Sequence, residues 1–159
     1  MLEVRARHAA ATAKQVHARL RLPFDLRQKS RLRAKLESGE EVAIALPRGQ
    51  VLRGGDLLLA QSGEVIEVVA ETERVMDAAC DSPEALARIA YHLGNRHVAV
   101  QLANGAIRFA ADAVLRKMVE GLGAQVTEID APFEPEAGAY APHHRHDESG
   151  HGGRIHEFK

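Results

Sequence analysis

The order of hydrophobic periodicities after residue 73 constrains this chain more than any other feature of its sequence. Arg74-Val75-Met76-Asp77-Ala78 reads as a strand. Ser82 followed by Pro83 then suits an N-cap with proline at the first helical position, and Leu86, Ile89, Ala90 and Leu93 repeat at helical spacing. Gly94 offers a stop. Val98 to Leu102 and Ile107-Arg108-Phe109 flank Asn104-Gly105, a strong hairpin signal. Asp112 can cap a second helix with Val114, Leu115, Met118 and Leu122 on one face, ended by Gly121 and Gly123, before a last strand over Ala124 to Ile129. Strand, helix, strand, strand, helix, strand is the order of a ferredoxin-like βαββαβ sandwich. That fold hosts many functions and by itself selects none.

The residues before this unit carry a different pattern. Glu41 to Leu46, Leu57-Leu58-Leu59 and Val65 to Val69 are short β-type runs, separated by the turn chemistry of Pro47-Arg48-Gly49, Gly54-Gly55-Asp56 and Ser62-Gly63-Glu64. The expected class is therefore α+β: a small β domain over 1–73, a ferredoxin-like domain over 74–140, and a flexible His-rich tail over 141–159. The tail is rich in Gly, Pro and His and too poor in apolar residues to offset the entropy of ordering.

Charge and cysteine content narrow the function. Lys plus Arg (21) against Asp plus Glu (22) leaves a formal charge of −1, which gives no overall drive toward nucleic acid or an anionic membrane. Cys80 is the single cysteine, so one chain can form neither a disulfide nor a CxxC zinc ribbon. No basic leader and no long apolar run is visible, and a cytoplasmic protein is expected. Arg27 to Arg33 is basic, but its alternation with short apolar residues is that of an exposed edge strand rather than a phosphate site. Neither a P-loop, nor a nucleophile motif, nor HExxH occurs, so no catalytic machinery is legible.

Histidine is what stands out. Five of nine histidines, His143, His144, His146, His151 and His156, fall within the last 17 residues, with Asp147 and Glu148 beside them. Imidazole suits Ni²⁺, Zn²⁺ and Cu²⁺, so the string reads as metal capture or, more blandly, as a solvated tail or a purification tag. His92 and His97 lie near the end of the first helix of the second domain. Five residues of continuous helix set them about 140° apart, so they need not share a site unless the helix stops between them.

Four stretches together resemble the urease accessory proteins of the UreE family: Arg27-Gln28-Lys29-Ser30-Arg31; Leu46-Pro47-Arg48-Gly49 with Val51 to Asp56; Tyr91-His92-Leu93-Gly94-Asn95-Arg96-His97; and Phe133 to Tyr140. The resemblance implies a non-enzymatic nickel metallochaperone with a peptide-binding-like N-terminal domain. It also implies a homodimer in which His97 meets its symmetry mate at Ni²⁺, with tail histidines completing the site and His92 a weaker helper. Zn²⁺ or Cu²⁺ would compete. The implied partners are apo-urease and other urease accessory proteins, including a GTPase. Asp112 is flanked by Ala111 and Ala113 where some members carry extra histidines, so that secondary site is expected to be missing. From the residues alone, a metal buffer without a client and a peptide-binding chaperone module stay open as alternatives.

Overall fold

The structure is a computed structural model that describes residues 1–8, 15–103 and 105–137; the tail histidines lie outside the described residues. Two sheets divide the chain. The first has six strands: β1 (Leu2–His8), β2 (Ala18–Leu22), β3 (Arg31–Lys35), β4 (Glu41–Ala45), β5 (Leu57–Ala60) and β6 (Val65–Ala70), ordered β2-β6-β5-β1-β4-β3. Alternation in the sequence becomes alternation of burial. Val42 and Ile44 of β4 and Leu20 and Leu22 of β2 point into one core with Leu58, Ile66 and Val68, while their neighbours in sequence face outward. Gly55 and Gly63 hold positive φ values of 86° and 101° in the tight turns on either side of β5, as the turn signals predict.

The second sheet holds β7 (Thr72–Ala79), β8 (Gln101–Ala103), β9 (Ala106–Ala110) and β10 (Gln125–Pro132), ordered β10-β7-β9-β8 and antiparallel throughout. Helices α2 (Pro83–Asn95) and α3 (Ala113–Gly121) alternate with these strands in the expected order. Ser82 Oγ accepts from the Ala85 N–H at 3.1 Å, and one Asp112 carboxylate oxygen accepts from the Val114 and Leu115 N–H groups at 2.8 Å. Each cap satisfies amides that have no partner within the helix. Ile89, Leu93 and Val119 then bury fully against Ala78, Ile107 and Phe109.

Several local expectations need correction. Val98 to Leu102 is not a continuous strand: only Gln101–Ala103 pairs with β9, because Val98 and Val100 pack into the core and the Glu136 N–H claims the Val100 carbonyl at 2.7 Å. Val114 is 75% exposed in the first turn of α3, and Val119 takes its place on the buried face. Gly121 is still helical, and α2 runs past Gly94 to Asn95. Asn104 lies outside the described residues, although the Ala103 to Ala106 register and the positive φ of Gly105 are those of a two-residue hairpin.

Arg27 departs most from the edge-strand reading of the basic stretch. It ends a short helix, α1 (Phe24–Arg27), and is fully buried. Its guanidinium donates to the Leu22 and Leu52 carbonyls at 3.1 and 3.2 Å, to the Phe133 carbonyl, and to Glu134 Oε1 at 2.8 Å. Burial pulls its pKa below the ordinary value, opposed by the Glu134 and Glu73 carboxylates. Glu134 also reaches the Gly54 N–H at 3.0 Å and Arg53 at 3.4 Å, and Phe133 meets Phe24 edge to face at 5.3 Å. The segment after β10 therefore folds back and bolts the second sheet to the first domain.

Candidate functional site

The end of α2 is built from three hydrogen bonds. The Arg96 N–H donates to the Leu93 carbonyl at 3.1 Å, His97 to Gly94 at 2.9 Å, and Val98 to Leu93 at 3.1 Å. The last two form the paired closure of a Schellman motif, with Arg96 as C-cap and His97 as the residue that must turn left-handed. His97 has φ = 55° and is the sole non-glycine residue with positive φ among the described residues. The end of α3 shows the usual solution. There the bonds run from Gly123 to Glu120 and from Ala124 to Val119, both at 3.0 Å, and the left-handed residue is Gly123 at φ = 93°. Placing a Cβ in that conformation costs about 1 kcal/mol or more. Val98 and Leu93 secure the turn from below by packing together in the core.

The consequence is an exposed imidazole on a rigid root. His92, by contrast, is half-buried on the last turns of α2, its ring edge to face with Tyr91 at 5.4 Å. α2 ends at Asn95, one residue past Gly94, so the helix does stop between these two histidines, although among the described residues they join no cluster of three possible metal ligands. The Ala111 N–H donates to the Arg74 carbonyl, so Asp112 and Val114 sit at the end of the sheet where β7 starts. The C-terminus of α2 returns to that same end. Tyr91, 64% exposed, and Val114, 75% exposed, thus add apolar surface to the end of the domain that carries His97.

Glu134 and Glu136 connect this end to the tail. The Glu134 N–H donates to Gln101 Oε1 at 2.8 Å and the Glu136 N–H to the Val100 carbonyl at 2.7 Å, so the chain leaves its described part beside a residue three positions from His97. His143, His144, His146, His151 and His156 follow, outside the described residues. Among the described residues no three His, Cys, Asp or Glu side chains gather as a metal cage, and no helix is long and apolar enough to cross a membrane. The clamp residues Arg27 and Glu134 and the exposed Tyr91 and Val114 were not singled out by sequence reasoning as parts of a site. The Phe133-Glu134-Pro135-Glu136 stretch was the available signal for the first pair.

Comparison with known proteins agrees with this two-part organisation. Residues 3–71 match the N-terminal domain model of the UreE urease accessory protein, and residues 73–159 match its C-terminal domain model. The chain belongs to the UreE family. Among relatives named urease accessory protein UreE, that of Nitrosospira multiformis is 52% identical over 143 residues, covering 89% of this chain and 81% of the relative. Those of Ralstonia nicotianae and Cupriavidus pinatubonensis are 55% and 52% identical over 128 residues, covering 80% of this chain in each case. The chain spans 61% and 58% of the length of those two relatives. As a UreE-family member it is an accessory protein and not itself an enzyme.

Proposed function

We propose that this chain is a cytoplasmic metallochaperone that binds Ni²⁺ at a site shared by two copies and passes it to the urease assembly. The observation that carries the reading is His97: an exposed imidazole fixed at a left-handed position that the matching turn after α3 gives to glycine. Strain of this kind persists where a side chain is needed for a purpose other than folding. A two-fold axis at the β7-start end of the second domain would bring His97 of each copy together, with Tyr91 and Val114 supplying apolar contact.

Two imidazoles suit Ni²⁺, with Zn²⁺ and Cu²⁺ as competitors, but do not fill its coordination sphere. The tail imidazoles would supply the rest, a role favoured by the bond from the Glu136 N–H to the Val100 carbonyl shortly before the tail begins, and His92 would be a lesser contributor. Two fixed and several mobile ligands permit stepwise exchange, so the ion can leave without passing through a bare state. The strand order β10-β7-β9-β8 supports a ferredoxin-like fold for the second domain; residues 74–140 would be the metal-binding unit, 1–73 a peptide-binding-like domain and 141–159 the His-rich tail. Release would go to apo-urease through other accessory proteins, including a GTPase.

Delivery is the test. Nickel-loaded protein added to the apo-urease assembly should activate it faster than an equal amount of free nickel. A version ending at Ala137 should carry fewer ions per pair of chains at unchanged secondary structure, read by equilibrium dialysis and circular dichroism. Activation no faster than with free nickel would make the protein a buffer and not a carrier.

A further inference from the structure

The two edges of the six-stranded sheet are finished differently. On β2 the arginines are paired within the domain, Arg19 with Glu67 at 3.0 Å and Arg21 with Glu37 at 2.7 Å, and the Glu37 N–H donates to the Arg19 carbonyl at 2.9 Å. On β3, Arg31, Arg33 and Lys35 are all exposed, and among the described residues none of the three forms an ion pair. The register gives these three a second property. β3 pairs antiparallel with β4 with Arg31 opposite Ala45 and Arg33 opposite Ala43, and flanking bonds run from Leu46 N–H to the Ser30 carbonyl and from Leu36 N–H to the Glu40 carbonyl. Even-numbered residues therefore exchange hydrogen bonds with β4, and the backbone N–H and C=O groups of Arg31, Arg33 and Lys35 point away from the sheet. Beside them runs an open groove of about 420 Å³ lined by Arg31, Leu32, Arg33, Ala43, Ile44 and Ala45.

We propose that β3 is a docking edge for an extended acidic segment of a partner protein, which adds as a seventh strand and places Asp or Glu at alternate positions against Arg31, Arg33 and Lys35. Backbone pairing would supply the affinity and the alternating charge the selectivity, since the same three residues present both. Other occupants fit less well. A second copy pairing through β3 would oppose like charges across the new ladder. A nucleic-acid backbone offers acceptors for the cations and the N–H groups but few donors for the outward carbonyls.

The test uses the full, nickel-free chain and a synthetic peptide with Glu alternating with Thr. Binding should slow hydrogen exchange at the Arg31, Arg33 and Lys35 amides by about tenfold or more, and added salt should weaken it. The triple charge reversal Arg31→Glu, Arg33→Glu, Lys35→Glu, confined to exposed positions, should weaken binding by about tenfold or more. A peptide N-methylated at alternate residues should fail to bind. Equal binding of the N-methylated peptide, tighter binding of oligothymidylate without amide protection, self-association through β3 detected in the free chain, or no binding of the acidic peptide would each overturn the proposal.

Discussion

Replacing His97 with glycine should raise the stability of the fold while removing the tightest nickel site. At φ = 55° the histidine Cβ is strained by about 1 to 2 kcal/mol, and glycine relieves that at an entropic cost in the unfolded chain of about 0.5 to 1 kcal/mol. The net gain should be about 0.5 to 1 kcal/mol, a rise of about 1 to 4 °C in Tm. His97→Ala keeps the strain and should gain nothing. Both variants should lose more than about 100-fold in affinity at the tightest site, because in the proposed two-chain site one substitution per chain would delete two ligands of the shared ion. Thermal melts and calorimetric nickel titrations on the same preparations separate the two effects. A glycine variant that melts lower than the parent would contradict the strain argument, and one that keeps the tight step would remove His97 from the site.

The second large effect belongs to the bolt between the domains. Glu134→Ala removes the carboxylate that meets Arg27 at 2.8 Å, Arg53 at 3.4 Å and the Gly54 N–H at 3.0 Å. Arg27 would then keep its three carbonyl acceptors in a fully buried place but lose the carboxylate paired with it there. Stranding a buried charge in this way costs about 3 kcal/mol. Urea unfolding should record that loss, with the two domains separating into distinct transitions, while Glu134→Gln should lose less because an amide oxygen can still accept from Gly54. A loss below about 0.5 kcal/mol would mean that the apolar contacts around Phe24 and Phe133 and the Arg27 bond to the Phe133 carbonyl hold the junction without the carboxylate.

What could be read in the sequence was whatever is local. Caps at Ser82 and Asp112, the helical repeat through Ile89 and Leu93, and the turn glycines at 55 and 63 each depend on residues within a few positions of one another, and each appears where expected. Pairing beyond the hairpin at Gly105 was not legible. Periodicity assigns faces and not neighbours, so nothing in the pattern announced that β1 lies parallel to β4 or β2 parallel to β6. Arg27 looked like one more surface cation because the groups that hold it are 25 and 107 residues away at Leu52 and Glu134. His97 was legible as a histidine at the end of a helix, but not as the residue that takes the left-handed turn. Gly94 was the natural helix breaker by composition, but a histidine three residues later carries the left-handed turn, a choice that local propensity disfavours.

One nickel ion held by two chains is the central requirement of the proposed function. Native mass spectrometry of the full chain during a nickel titration reads oligomer and ion count together. The first ion to bind should appear on a dimer, one per pair of chains, and that species should be absent for His97→Ala while dimers persist. A first ion carried by a single chain, or the same dimer-bound ion in the His97→Ala variant, would contradict it.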